Sequence, residues 1–456
     1  MNDRPNAAKE SSDALPSAAA ASMEGGAAIG EAILTPTGSL IVRTRVSAGY
    51  IWLLIFATLG SYAALVGPIG ISLSLRIQEI APQNIEWLGY VVGGGAIAAT
   101  LSQPLVGMWS DRTRSRLGRR RPFAIAGTIV GLVGLALLAM APTVVLLAAA
   151  WVVTQLGWAT VLSMLLLSQA DRLPEEQRGK VAGLSGFTTM IASVIGVGIA
   201  SAFIGNNYLV FLVPGAVGAL AMALWVIFVK EPSSRSIIVD KKLTISGALR
   251  DMVFNPRKHP DFAWNWFGRL FFNFGVTFAT TFTTLFFASR LSEGGRVADI
   301  GGVIVVLSLF GVLSAAGGAM LGGFLSDKLK RRRIFVLLSG VAFTIGALVM
   351  AFGGSDVVIL FTGSIIANIG LGVFSAVDQA IVLDVLPERD TDAGRFMGIN
   401  GYSTSIAQGL APIAAAPLLL IGVTGADKNY GLVLVIAAAC TLVGGTAVML
   451  KVKATR

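Results

Sequence analysis

A chain of 456 residues with 54% hydrophobic side chains, only 13% charged ones and a mean hydropathy of +0.76 is excluded from the soluble globular class, in which about a quarter of residues are charged. Its net charge of +10 suits either nucleic acid or membrane topology, and the positions of the cations along the chain select topology. The single cysteine, Cys440, excludes an intramolecular disulfide and reads as a small buried apolar residue.

Residues 1–46 are rich in Ala, Ser, Gly and Pro without a sustained apolar run, which predicts a disordered cytoplasmic tail; the basic-then-apolar pattern of a cleaved secretory signal is missing. Twelve stretches follow that approach the ~20 apolar residues needed to span a bilayer. The first six are Tyr50–Ile71, Leu88–Ser110, Pro122–Met140, Val144–Ser168, Val181–Ile204 and Leu209–Val229. The other six are Ala263–Ala288, Ile300–Ser326, Ile334–Phe352, Val357–Leu383, Phe396–Ile421 and Leu432–Leu450. They do not alternate polar with apolar, so helices rather than barrel strands satisfy the backbone in lipid, and their many glycines suit close helix packing. The polar stretch Lys230–Phe262, with Pro232, Pro256 and Pro260, divides the chain into an N-terminal six-helix bundle over 47–229, a cytoplasmic linker over 230–262 and a C-terminal bundle over 263–456. Within that linker Ile238–Phe254 has the pattern of a short interfacial helix.

Between the second and third spans Gly107–Phe123 reads G-M-W-S-D-R-T-R-S-R-L-G-R-R-R-P-F, and Gly323–Arg333 repeats its Gly-x-x-x-Asp-[Arg/Lys] spacing 216 residues later. After the fourth span comes Asp171-Arg-Leu-Pro174-Glu175, echoed after the tenth by Asp384-Val-Leu-Pro387-Glu388 at an offset of 213. Two matched motifs at nearly one offset mark an internal repeat. With both termini cytoplasmic, 30 of the 35 Lys and Arg fall on that side, four (Arg76, Arg290, Arg296 and Lys428) on the other, and Arg269 within a span, which is the positive-inside pattern. Asp111 and Asp327 end their helices where the helix dipole disfavours a carboxylate. Arg112 and Arg119–Arg121 in one turn, Lys328 and Arg331–Arg333 in the other, and a helix N-terminus of the opposite half are the available compensations. Such contacts across the halves would latch one conformation, whereas arginines that only anchor topology would bind lipid phosphates.

Gly107-x-x-x-Asp111-Arg112 with the trailing Gly118-Arg119-Arg120 resembles the signature of the major facilitator superfamily. The fuller string Ser110-Asp-Arg-x-x-Ser115-Arg-x-Gly118-Arg-Arg-Arg-Pro122-Phe123 resembles its sucrose-transporter and glycoside–pentoside–hexuronide:cation symporter branch. The resemblance implies an all-α membrane protein of twelve transmembrane helices in two pseudo-symmetric six-helix bundles. These would rock about a central site lined by the first, fourth, seventh and tenth helices. It implies gating roles for the motif positions Gly107, Asp111, Arg112, Gly118, Arg119 and Arg120, and by repeat for Gly323, Asp327 and Lys328; Asp171 and Asp384 of the echo loops join that set.

Arg269 and Asp378 each lie six residues inside a span from its cytoplasmic end, about 9 Å deep by helical rise. An ion pair between them is expected, with Asp378 taking and releasing a proton as Arg269 engages solute; the bland alternatives are a static bridge or a snorkelling arginine. Trp266, Arg269 and Asn273 share a face of the seventh span, Asn368, Ser375 and Gln379 one of the tenth, with Asn400, Ser403 and Gln408 on the eleventh and Gln155 and Trp158 on the fourth. Aromatic faces beside amides and hydroxyls suit a sugar, although singly each such residue is common as interhelical glue.

The chain departs from plant sucrose transporters in lacking a carboxylate in the fourth span, and from melibiose-type sodium symporters in lacking acids in the second. Sodium is therefore disfavoured, a proton on Asp378 or Asp384 is the expected coupling ion, and uncoupled diffusion is the alternative. No cofactor or metal site is expected. The sole histidine, His259, has no Cys or His companion, and no P-loop is present, which argues against an enzyme and against ATP-driven transport. Drug efflux on the same fold and a non-transporting receptor or scaffold are the rival functions; the Gly-Pro pair of efflux antiporters is absent from Val181–Ile204. The expected protein is a monomeric secondary transporter of a small polar solute, a sugar or glycoside, in the cytoplasmic membrane, with lipid and solute but no nucleic acid as partners.

Overall fold

The computed structural model describes residues 31–34, 40–43, 45–235, 253–388, 393–423 and 428–453. Within the N-terminal stretch read as an unstructured tail, β1 (Glu31–Leu34) and β2 (Leu40–Arg43) pair antiparallel, with Glu31 opposite Arg43. The physical reason is that Ala32–Leu34 and Leu40–Val42 are short runs of residues rich in Ile, Leu and Val, which favour strands. The interfacial helix expected over Ile238–Phe254 lies, apart from Val253 and Phe254, outside the described residues.

The first span is longer than its hydropathy suggests. α1 (Ala48–Gly67) starts where the Ser47 hydroxyl accepts from the Tyr50 amide at 3.3 Å, and a π turn at Pro68–Ser72 carries it into α2 (Leu73–Ile80). Proline removes one backbone donor, and the wider turn absorbs that loss without ending the helix, giving one 33-residue span. α3 (Trp87–Arg112), α4 (Arg121–Met140), α5 (Val144–Arg172), α6 (Glu175–Ser201) and α7 (Leu209–Phe228) complete the first six-helix half. In the second half α8 (Pro260–Thr281) bends by 42° at Phe282 into α9 (Thr283–Leu291). α10 (Gly301–Leu329), α11 (Arg332–Phe352), α12 (Val357–Val385), α13 (Ala393–Leu418) and α14 (Tyr430–Lys451) follow. Among the described residues ten helices are long and apolar enough to cross a membrane, or eleven with the bent pair α8–α9, fewer than the twelve stretches expected. The remaining segment, α13, spans 26 residues but carries Asn400, Ser403, Ser405 and Gln408.

In the first half α1 packs on α6 and α7, and α5 on α3 and α4; in the second α12 packs on α10 and α11, and α14 on α8 and α11. The halves meet through α3 against α13 and α6 against α10. The basic turns sit together on one side of the molecule, here the basic face. On the opposite, far face the halves are fastened to each other. Gln78 of α2 donates to the Gly295 carbonyl at 2.8 Å and accepts from the Val297 amide at 2.9 Å. Glu86, just before α3, forms a 2.8 Å ion pair with Lys428, just before α14, and both side chains are only 4% exposed.

Burial pushes the Glu86 carboxyl up, but hydrogen bonds from Lys428, from its own backbone and from Asn84 outweigh it and hold the group below the ordinary 4.5. A lowered folded value means that the pair's stabilisation is fully present above pH 4.5 and lost as pH falls through the lower folded value. The melting temperature difference between the natural chain and Glu86→Gln, measured in detergent, is expected to stay constant from about pH 8 to pH 5 and to shrink below the ordinary carboxylate range.

Candidate functional site

At the basic face the two aspartates of each half share a guanidinium. In the first half Arg120, 3% exposed at the start of α4, lies 2.7 Å from Asp111 at the end of α3 and 2.9 Å from Asp171 near the end of α5. Arg119 joins the cluster at 2.7 Å from Asp171 and 3.8 Å from Asp111, and Ser110 accepts from Arg120 at 3.0 Å. In the second half Arg332 bridges Asp327 at 3.0 Å and Asp384 at 2.5 Å. A planar guanidinium holds two carboxylates where an ammonium offers only a point charge. Accordingly Lys328 stays out of the cluster, exposed, with its ammonium 6.0 Å from the Phe324 ring centroid.

Of the two compensations expected for Asp111 and Asp327, this conformation shows the arginines of their own turns, Arg120 and Arg332, rather than a contact across the halves. The N-terminus of α4 is likewise occupied from its own half. Glu231, just after α7, accepts from the Arg120 amide at 3.1 Å and the Arg121 amide at 3.4 Å, where the helix dipole favours an anion. Gly118 permits this contact: its φ is +87°, and a Cβ there would lie 2.4 Å from the Glu231 Cβ. Arg112 closes α3 and is partly buried. A Cβ on Gly107 would meet nothing within 4 Å, and one on Gly323 only Ala376 at 3.6 Å, so neither glycine marks a close helix contact here.

Arg269 of α8 and Asp378 of α12 form the expected ion pair. The aspartate is 3% exposed, the Arg269 Nε donates to Thr404 of α13 at 3.4 Å, and the Asn273 amide donates to the Arg269 carbonyl at 2.8 Å. One turn away the rings of Phe272 and Phe374 stack 3.6 Å apart, so the pair is walled by apolar packing.

Between the halves lies a cavity of about 750 Å³, with a second lobe of about 450 Å³ toward α10 and α12. Val66, Ile69 and Thr280 border both lobes, while Gln103 and Gln169 line the first toward the basic-face ends of α3 and α5. Its polar lining consists of amides and hydroxyls, among them Tyr62, Gln155, Asn273 and Gln408; no Asp, Glu, Lys or Arg is among the described residues that line either lobe.

Of the residues expected to contact solute, Gln155, Asn273 and Gln408 line the large lobe and Asn368 and Ser375 the smaller one. Others are elsewhere. Trp158 is fully buried against Gly131 of α4 and Gly218 of α7, a bulky ring filling the gap two glycines leave. The Trp266 indole donates to the Ile399 carbonyl at 2.9 Å, Asn400 and Ser403 are buried with Ser403 bonded to the Asn400 carbonyl, and Gln379 is exposed. Tyr62, Gln103 and Gln169 also line the site, beyond the residues that sequence reasoning singled out. Gln155 and Gln169, 14 residues apart, fall on one face of α5, and that spacing was the available signal.

Two six-helix bundles fastened at one face over a cavity whose lining mixes apolar side chains with amides and hydroxyls have the architecture of a multi-pass membrane transporter. The chain belongs to the Major Facilitator Superfamily, whose family model matches residues 51–412 and again 299–456. Among curated relatives, the general alpha-glucoside permease of Schizosaccharomyces pombe is 39% identical over 61 residues, 13% of this chain and 11% of that protein. Sucrose transport protein SUT4 of Oryza sativa subsp. indica is 34% identical over 98 residues, 21% and 14% of the two chains. The proton-associated sugar transporter A of Homo sapiens is 57% identical over 42 residues, 9% and 6% of the two chains. The matched stretches thus span only a small share of each relative. The solved nucleoside transporter NupG superimposes with a TM-score of 0.72 at 13% identity, over 89% of this chain and 99% of that one. A bacterial homolog of the human lysosomal transporter Spinster, in an inward-facing and unoccupied conformation, gives a TM-score of 0.67 at 18% identity, over 90% and 98%. These two likenesses speak to the fold, and the family and its structural neighbours are transporters rather than enzymes.

Removing one member of a buried ion pair leaves an uncompensated charge and costs about 3–5 kcal/mol. Arg269→Gln and Asp378→Asn are each expected to lower the melting temperature in detergent, and the double variant to lose less than the sum of the two. Fully additive losses would show that the two side chains act independently.

Proposed function

We propose that the protein is a secondary transporter of a small neutral polar solute, a sugar or glycoside, working by alternating access across the cell membrane as a monomer. The basic face, with both termini, is cytoplasmic on this reading, following the positive-inside pattern. The observation that carries the solute class is the cavity lining: Gln103, Gln155, Gln169, Asn273 and Gln408 offer paired donors and acceptors, Tyr62 an aromatic ring, and none of the lining side chains an ionised group. A charged solute brought there would lose its hydration without a countercharge, whereas a polyol exchanges water hydrogen bonds for amide ones. The volume falls within the roughly 300–1,000 Å³ usual for small-molecule sites. The curated relatives, named as permeases and transporters of sugars and inositol, support the same class.

Proton coupling rests on the Arg269–Asp378 pair, because the lining itself carries no acid. A proton on Asp378 releases the Arg269 guanidinium, which keeps its contact with Thr404, one helical turn from Asn273 on the wall of the site. Efflux of hydrophobic cations is less well supported, since such solutes favour an acid within the cavity.

Reconstituted vesicles offered labelled mono- and disaccharides, with and without an imposed pH gradient, test this reading. Uptake of at least one sugar, driven by the gradient, is expected. Gln155→Leu is expected to raise the half-saturating concentration about tenfold, the value of one or two lost hydrogen bonds. Asp378→Asn is expected to abolish gradient-driven accumulation while solute exchange persists. Absence of uptake for every sugar, together with resistance to toxic hydrophobic compounds on expression, would overturn the sugar assignment.

A further inference from the structure

The far-face contacts of Glu86 and Lys428 differ in kind from the ion pairs of the basic face. The Asp111–Arg120–Asp171 and Asp327–Arg332–Asp384 clusters each lie within one half and move with it. Glu86 belongs to the first half and Lys428 to the second, and of the ion pairs named above theirs alone joins the two. Both side chains are only 4% exposed. Both also have a neutral partner: Lys428 donates to the Gln83 carbonyl at 3.0 Å, and the Asn84 amide donates to Glu86 at 3.2 Å. The Glu86 carboxylate further stands at the N-terminus of α3, the favourable end of the dipole. In a buried pair of this kind either member alone is heavily penalised.

At the same corner the backbones of the halves come close together. A Cβ on Gly89 would lie 2.3 Å from the Pro412 carbonyl oxygen, and one on Gly93 2.5 Å from that of Gly409, so α3 and α13 touch main chain to main chain directly beneath the ion pair. The Gln78 side chain pins a second point of the seam, and Thr284 donates to the Gly70 carbonyl at 2.5 Å. Any rocking of the halves that opens the cavity to the far face must part Glu86 from Lys428.

We infer that Glu86 and Lys428 form an ionic latch that holds the far face closed and sets the balance between the two access states. Resting on the transporter reading above, the far face is the outer one, and the latch favours the conformation whose cavity faces the cytoplasm. The Gln78 clasp, built from neutral groups, separates at lower cost, so the ion pair contributes most to holding this seam shut.

Spin-label distances test the latch independently of any solute. In the full chain carrying Cys440→Ala, cysteines replacing Gly205 and Ser355, exposed positions in the far-face loops of the two halves, report the separation across the seam. The latched parent is expected to show one short-distance population. Glu86→Gln and Lys428→Met are each expected to raise a longer-distance population about tenfold. The double variant is expected to go no further than the single ones, because neither charge is then left unpaired. Unchanged distances in both single variants, or a double effect equal to the product of the two, would overturn the latch. Sugar uptake by the parent is read separately, so failure of the solute assignment leaves these distances standing as evidence about the latch.

Discussion

Sharing of one guanidinium between two carboxylates is the interaction on which this architecture rests. Arg120 is almost wholly buried, and a buried cation is tolerable only because Asp111 and Asp171 both reach it. The bridge ties the basic-face ends of α3, α4 and α5 into one body, and Arg332 does the same for α10, α11 and α12. Since each cluster is neutralised within its own half, the halves need not hold each other at that face. The seam between them is left to the far face, where α3 meets α13, and the cavity occupies the space that opens below.

Charge and cavity are kept apart. A buried ion pair within one half, Arg269 with Asp378, stands beside the cavity, one helical turn from Asn273, which lines it. The cavity thus keeps an uncharged lining suited to a neutral polyol, while an ionisable group remains within one side chain of the site. Under the proposed mechanism that separation divides labour: amides recognise the solute, and the ion pair registers a proton. A charge inside the lining would have to be desolvated with every turnover.

Much of the fold was legible because hydropathy and the repeated turns report on membrane and duplication directly. The Arg269–Asp378 pairing was legible too, since equal helical depth from two cytoplasmic ends places the residues at one level. What escaped was set by contacts between distant segments. Trp158 shows the same periodicity whether it faces solute or the glycines of α4 and α7, and only the packing of Gly131 and Gly218 decides. Glu86 and Lys428 sit in short loops 342 positions apart, with no periodicity to join them. Arg120 and Arg332 fill matching roles nine and five residues after their aspartates, so the shorter second turn hid the equivalence. Glu231 lies in a segment read as mere linker, yet it caps α4 and explains why Gly118 must be glycine.

On this account two rigid halves rock about a cavity for a neutral solute, so that one face closes as the other opens. The most direct test measures distances across both faces of the same protein, with spin labels at Leu117 and Lys330 on the basic face and at Gly205 and Ser355 on the far face, across a titration of a transported sugar. The account predicts opposite shifts, the basic-face distance shortening in the population whose far-face distance lengthens. Two faces that open independently, or distances within a half that change as much as those between halves, would contradict it.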